Sequence, residues 1–248
     1  MYIKPLGQPY EEWLTQLHST HLFDWYMEIG CRTGRTFAPS RSKTIAVDPF
    51  FKANSNIITD KPALHVFQQP SDDFFASGFL ARNDVKLSFT FIDGMHLIEY
   101  ALRDLIGVEA NSLPGSIIAL HDCCPFNQRM TTRNLDQLPK WSWTGDVWKI
   151  LPILRRYRPD LKVTVLDCSP TGLVLLSQLD PENRVLAENM DAILAEYQDI
   201  DIETYGVAKF YESFSFVRAK RAAKRDFPLF ANCRIDETAA LKPQFVTP

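Results

Sequence analysis

Tyr26-Met27-Glu28-Ile29-Gly30-Cys31-Arg32-Thr33-Gly34-Arg35-Thr36 reads as a short buried strand that runs into a glycine-bearing turn and then into the first turn of a helix. A strand ending this way gathers backbone N–H groups and the positive end of a helix dipole at one point, where a charged small molecule can dock. A second apolar run, Thr44-Ile45-Ala46-Val47, leads to Asp48, twenty positions after Glu28. Nucleotide-binding α/β folds place the carboxylate that grips a ribose at about this interval, ~20 residues. One stretch therefore predicts both the fold class and the place of its ligand.

Upstream, residues 9 to 23 set Trp13, Leu14, Leu17 and Leu22 among polar positions, the pattern of an amphipathic helix covering the sheet or the ligand. Downstream, the helix after the first strand must be short, because Pro39 and Arg41-Ser42-Lys43 lead directly into the second strand, which Pro49 stops. Phe50 and Phe51 offer apolar surface beside the ribose position or anchor the loop. A third strand is predicted at Ala63-Leu64-His65-Val66-Phe67; Ser71 and Asp72 beyond it either read an adenine or belong to an N-capped helix start. The fourth strand, Val85 to Ile92, runs into Asp93-Gly94-Met95-His96, and a helix carrying Glu99, Leu102, Arg103, Leu105 and Ile106 follows. The fifth, Ser116 to Leu120, delivers His121-Asp122. Residues 123 to 149 are loop-like and contain Trp141, Trp143 and Trp148; a helix spans about 145 to 157. Leu161–Asp167 and Gly172–Leu176 are close enough in sequence to be antiparallel neighbours. The expected fold is α/β: a doubly wound, mostly parallel Rossmann-like sheet with an antiparallel last strand and helices on both faces.

The 248 residues are taken as a single domain, with a core at about 20–180 and a C-terminal helical extension at about 181–248. That extension has helical periodicity around Val185, Leu186, Met190, Ile193, Leu194 and Tyr197, and a basic run, Arg218, Lys220, Arg221, Lys224 and Arg225, read as a solvated face. A net charge of -3 gives no electrostatic reason to bind nucleic acid or an anionic membrane, so a small-molecule partner is expected. Five cysteines, an odd number with Cys123 and Cys124 adjacent, suit reduced thiols in a cytoplasm better than a secreted disulfide framework. Neither a signal-type apolar run nor ~18 successive apolar residues occurs. A homo-oligomeric state is left open.

Three strand ends converge in this reading: Glu28-x-Gly30, Asp93-Gly94-Met95-His96 and His121-Asp122. Strands one, four and five lie side by side in a doubly wound sheet, and ligands bind where the strand order reverses. Asp93, His96, His121 and Asp122 should therefore face one cleft.

Glu28 to Gly34, Asp48, Phe91-Ile92-Asp93-Gly94-Met95-His96, Arg103-Asp104, Leu120-His121-Asp122 and Trp143 to Lys149, in this order and spacing, resemble the class I S-adenosylmethionine-dependent methyltransferases. The branch they are most similar to is the small O-methyltransferases that include macrolide-sugar and aminocoumarin-sugar enzymes; catechol O-methyltransferase is more distantly similar. The resemblance covers about residues 20 to 180. It implies methyl transfer from S-adenosylmethionine to a hydroxyl of a small acceptor such as a sugar. Glu28, Gly30 and Thr33 would hold the methionine part through the backbone around them, Asp48 would take both ribose hydroxyls, Ser71 and Asp72 would lie at the adenine, and Asp93 would border the cofactor. A carboxylate on a vicinal diol makes a charge-assisted, bidentate grip. The relatives hold a divalent cation, usually magnesium, with residues at the positions of Asp93 and Asp122, and His121 stands where they often have another aspartate. One imidazole suits Mn²⁺ or Fe²⁺ better than Mg²⁺, so Mg and Mn stay open.

An imidazole titrates near ambient pH, which makes His96 the first choice of base for the acceptor hydroxyl and His121 the reserve; Met95 replaces an aspartate frequent in the relatives. Asp93 as a helix cap and His121-Asp122 as a hydrogen-bonded pair are the plainer readings of the same residues. The tryptophans either wall an acceptor or pack a core, and Asp146 and Lys149 either serve the site or cap and decorate their own helix. Arg32 at the middle-glycine position of Gly-x-Gly-x-x-Gly argues against NAD and an oxidoreductase. A cofactor-binding module without catalysis is the other alternative.

Overall fold

The computed structural model describes residues 1–224 and 226–235; Arg225 and the last part of the C-terminal extension lie outside the described residues. Eight strands form one sheet: β1 (Trp25–Ile29), β2 (Lys43–Val47), β3 (Leu64–Phe67), β4 (Leu87–Ile92), β5 (Ser112–His121), β6 (Lys162–Leu166), β7 (Leu173–Ser177) and β8 (Phe216–Val217). Their order is β3-β2-β1-β4-β5-β7-β6-β8. Only β7 runs against its neighbours, pairing antiparallel with β5 and β6. The order reverses between β1 and β4, which pair in parallel with Glu28 opposite Phe91 and Ile29 opposite Ile92.

Alternating side chains bury both faces of this sheet, as a parallel sheet covered on two sides requires. Met27, Ile29, Ile118, Leu120, Val174 and Leu176 point into a mainly aliphatic layer, where Leu102, Leu105, Ile153 and Leu154 of helices α3 (Ile98–Ala110) and α4 (Ile150–Tyr157) also pack. Tyr26, Phe89, Phe91, Ala119 and Leu175 point the other way, into an aromatic-rich layer closed by Trp13, Leu14 and Leu17 of helix α1 (Tyr10–Thr20) and by Phe227 and Phe230. Burying each such side chain contributes about 1.5–3 kcal/mol, so neither layer can be peeled away cheaply. The C-terminal extension belongs to this packing: Ile193, Tyr197, Ile202 and Phe210 join the aliphatic layer and Phe216–Val217 lengthens the sheet.

The elements match the expected α/β order with two corrections, the first being that the extension expected to be helical also supplies strand β8. No helix follows β1. Residues 31–39 form successive turns, with Gly34 N–H donating to the Cys31 carbonyl at 2.7 Å and Ala38 N–H to the Gly34 carbonyl at 2.9 Å. Gly34 at φ +79° lies outside the right-handed helical region, and Pro39 closes the segment before a regular helix can propagate. No helix dipole therefore supports this turn. Among the described residues no helix is long and apolar enough to cross a membrane.

Candidate active site

The first glycine turn is shaped by contact with β4. Asp93 N–H donates to the Ile29 carbonyl at 2.9 Å, which brings the two strand ends together. Gly30 has φ +81°, and a Cβ there would stand 1.9 Å from the Asp93 carbonyl oxygen, so only glycine permits this approach. Glu28 is fully buried; its carboxylate accepts from the Tyr26 hydroxyl at 2.7 Å and the Thr36 hydroxyl at 2.6 Å. Burial pushes its pKa up to about 7 against the pull of those two hydroxyls. The side chain thus fastens the turn from inside, leaving backbone groups to face a ligand. Thr33 is half-buried within the same turn.

Asp48 lies at the end of β2, 7% exposed. Its Oδ2 accepts from Arg32 N–H at 2.6 Å and its Oδ1 from Phe50 N–H at 2.7 Å. Each oxygen retains a free lone-pair direction, which is what a vicinal diol needs. The Phe50 ring is 83% exposed beside it, while Phe51 is half-buried with its ring centroid 6.2 Å from that of Phe37. At the next strand end, Ser71 opens helix α2 (Ser71–Ala76) as its first residue and does not cap it. Its hydroxyl hydrogen-bonds Asp104, whose carboxyl burial pushes up to about 7. Asp72 is held by Arg103 through two bonds of 2.8 and 2.9 Å, so its carboxylate is already paired.

Across the reversal, Asp93, His96, His121 and Asp122 do converge. His96 Nε2 is 3.3 Å from Asp93 Oδ1 and 3.3 Å from Asp122 Oδ2. His121 Nδ1 is 3.2 Å from Asp93 Oδ1 and 3.4 Å from Asp122 Oδ1. Asp122 has φ +60°, a left-handed conformation that costs a non-glycine residue about 1 kcal/mol or more and so marks a site where the surroundings dictate the backbone. The electrostatics are mutual. Burial works to lower His96, but the Asp93 hydrogen bond and the Asp122 charge raise it to about 9. His121 is raised by Asp122 and Asp93 against its own burial, and half-buried Asp93 is depressed by the two imidazoles against its partial desolvation.

Asp93 caps no helix: α3 begins after Leu97 without a side-chain cap from its own neighbours, and Ile98 N–H instead donates to Asp146 Oδ1 at 2.8 Å. Asp146 likewise caps no helix of its own, and Lys149, 1% exposed, pairs with it at 2.7 Å instead of decorating a surface. The tryptophans divide. Trp148 is core, 5.5 Å from the Phe210 ring; Trp141 is 95% exposed; Trp143 stands beside His96 at 5.0 Å and accepts from its Nδ1 through the main-chain carbonyl at 2.7 Å.

Three contributors escaped the sequence reading. The Tyr10 ring, at the start of α1, lies tilted against the His121 ring with centroids 3.8 Å apart, and burial beside Asp93 and Asp122 pushes its phenol well up. Thr171 donates to Asp122 Oδ1 at 2.6 Å and lies 3.2 Å from His121 Nε2. The Trp143 carbonyl is the third. Recognising that β7 returns beside β5 would have brought Thr171 to His121; nothing local in the sequence signals Tyr10 or a backbone oxygen.

Asp93, His96 and Asp122 each offer one donor atom, and the three lie within 4.8 Å of one another. Adjacent ligands at about 2.1 Å from a common ion stand about 3 Å apart, close to the 3.3 Å spacings here. The donor set fits a divalent cation, and its imidazole favours Mn²⁺ or Fe²⁺ over Mg²⁺.

No family model and no curated protein matches the chain in sequence. Solved structures do match in fold. One is cofactor-bound Rv0187 from MTB, at 14% identity, covering 70% of this chain and 80% of that one with a TM-score of 0.53. Another is the O-methyltransferase TomG from Streptomyces achromogenes, involved in tomaymycin synthesis and solved with SAM, at 14% identity over 68% of this chain and 78% of that one, TM-score 0.50. A third is the O-methyltransferase from Bacillus cereus in complex with SAH, at 12% identity over 68% and 79%, TM-score 0.48. At such identities the likeness is one of architecture: the doubly wound, mostly parallel Rossmann-like fold.

Proposed function

We propose that this protein is an S-adenosylmethionine-dependent O-methyltransferase acting on a hydroxyl of a small acceptor. The observation that carries the reading is the placement, on one sheet edge, of a two-handed carboxylate at the β2 end and a carboxylate–imidazole cluster at the β4 and β5 ends, with the Gly30 turn between them. A sulfonium nucleoside lying across that turn has its ribose at Asp48 and its reactive methyl toward the cluster.

Asp48 orients the ribose, and the backbone around Gly30 and Thr33 receives the methionine part. Ser71 and Asp72 border the adenine, with Arg103 fixing the Asp72 carboxylate. His96 is the base. Its Nδ1 is committed to the Trp143 carbonyl, so a neutral ring has its lone pair on Nε2, the atom 3.3 Å from Asp93 Oδ1 and Asp122 Oδ2. The acceptor oxygen bonds to the methyl carbon as the carbon–sulfur bond breaks, the bonding pair stays on sulfur, and the hydroxyl proton passes to His96 Nε2. Tyr10 and Thr171 fix His121 over Asp122.

Asp93 and Asp122 would hold a divalent cation, and the third donor would be His121, whose Nδ1 lies 3.2 Å from Asp93 Oδ1 and 3.4 Å from Asp122 Oδ1. When bound, it would supply the positive charge that His96 otherwise carries, leaving that imidazole neutral, and would acidify the acceptor hydroxyl. A second reading takes His96 as a ligand in place of His121, favoured by its equal 3.3 Å distances to both carboxylates; the reserve base is then His121. Calorimetry with Mn²⁺ separates them: His96→Gln leaves Mn²⁺ affinity intact if His96 is the base and lowers it if His96 is a ligand.

Titration with S-adenosylhomocysteine, with NAD⁺ as the control, tests the cofactor. Binding of the former alone is expected, and binding of the latter alone refutes the reading. Formation of methylated product from a panel of hydroxylated small molecules separates an enzyme from a cofactor-binding module.

A further inference from the structure

One segment holds His96 from two sides. The His96 ring contacts the Trp143 carbonyl at 2.7 Å, and the His96 backbone carbonyl accepts from Asp146 N–H at 3.1 Å. Between these contacts is Gly145, at φ +50°, where a Cβ would stand 1.6 Å from the His96 carbonyl oxygen; the chain can pass here only as glycine. What anchors the segment is one buried carboxylate. Asp146 is 2% exposed; its Oδ1 accepts from Ile98 N–H at 2.8 Å, and its Oδ2 accepts from Lys149 Nζ at 2.7 Å and Arg133 Nη1 at 2.6 Å. Arg133 continues to Glu99, in the first turn of α3, at 2.7 and 3.1 Å. A buried charge with cationic partners on one oxygen and a backbone donor on the other has no second low-energy orientation.

We infer that Asp146 is the positioning residue for His96: through the Gly145 peptide and the Trp143 carbonyl it fixes the imidazole with Nδ1 donating backward and Nε2 turned toward Asp93 and Asp122. Such a partner behind an imidazole sets ring orientation and tautomer without touching substrate. The inference rests on the proposed function only for what His96 then does; the brace exists independently of turnover.

The brace is read by nuclear magnetic resonance on the full-length protein carrying ¹⁵N-histidine. The imidazole Nδ1 proton of His96, identified by its loss in His96→Gln, is expected to be protected from solvent exchange in the wild type. In Asp146→Asn, which keeps an acceptor for Ile98 N–H but loses the ion pairs, it should exchange faster by about tenfold or more. Arg133→Met removes only a half-exposed cation, so it stays folded and should move the same signal in the same direction by a smaller factor. Affinity for S-adenosylhomocysteine should stay within about twofold in both variants, since Asp48 and Gly30 are not part of the brace. Unchanged protection in both variants, or no protected His96 proton in the wild type, overturns the inference. A wild type that fails to bind S-adenosylhomocysteine overturns the proposed function and leaves the brace untouched.

Discussion

The β1–β2 end and the β4–β5 end of the sheet edge each hold a pair of carboxylates, and they satisfy them in opposite ways. Glu28 is met by the hydroxyls of Tyr26 and Thr36, and Asp48 by the backbone N–H groups of Arg32 and Phe50. All four donors are neutral, so the shape of this end does not depend on a partner's protonation. Asp93 and Asp122 are met instead by His96 and His121, with Thr171 the one neutral donor. Their charge balance changes whenever a proton or a cation arrives. At the first end the carboxylates keep neutral partners whatever the pH, even as Glu28 itself titrates near 7; at the second the partners are themselves titratable. Substitutions at the two ends should therefore fail differently.

The largest effect is expected at the second end. Asp122→Ala and His96→Gln should each lower methyl transfer by about 10²–10⁴-fold, the range associated with loss of a positioned acid–base group, while affinity for S-adenosylhomocysteine holds. Calorimetry beside a turnover assay reads both numbers, and full activity in Asp122→Ala removes this residue from the chemistry. Asp48→Ala should invert the pattern. Losing a charge-assisted, two-point contact weakens S-adenosylhomocysteine by about 100-fold, with two backbone N–H groups left unpaired besides. An unchanged Kd ends the ribose assignment.

A pH experiment sharpens the contrast without any ligand. Glu28, with its pKa pushed up to about 7 from 4.5, binds its proton more tightly in the folded than in the unfolded state. Its contribution to stability is therefore fully present below about pH 4.5 and is lost as pH rises through about 7. Glu28→Gln keeps an acceptor for Thr36 and places its amide against the Tyr26 oxygen, but has nothing to titrate. Between about pH 5 and pH 8 the variant should gain on the wild type by up to roughly 3 kcal/mol. Melting curves at the two pH values check this, and parallel losses in both proteins contradict it.

The same contrast explains what was legible in the chain. Apolar runs ending in Asp48, Asp93 and Asp122 announce parallel strands and one charged edge, because burial on both faces writes itself into consecutive residues. The helix expected after Gly30 failed because local pattern cannot show that Gly34 and Pro39 leave only turns between two strands that must pair in register. Asp146 stayed undecided for a related reason: its partner Ile98 N–H lies 48 positions away in sequence. Tyr10 over His121 is likewise a product of how α1 docks, a tertiary fact without a local signature.

The smallest predicted effect separates adjacent aromatics at the binding end. Phe50 gives its N–H to Asp48 while its ring is 83% exposed; Phe51 is half-buried and packs near Phe37. An exposed ring contributes little to folding, so Phe50→Ala should leave the melting midpoint nearly unchanged, within about 0.5 kcal/mol. The backbone donor survives the substitution, and Asp48 stays oriented. If the nucleoside lies where Asp48 directs it, the ring loses water only when ligand arrives, and its removal should weaken S-adenosylhomocysteine by about 1 kcal/mol, roughly fivefold. Phe51→Ala should do the reverse, costing stability by emptying space against Phe37. Equal Kd values for Phe50→Ala and wild type, with Asp48→Ala still defective, would place the nucleoside on the far side of Asp48 from this ring.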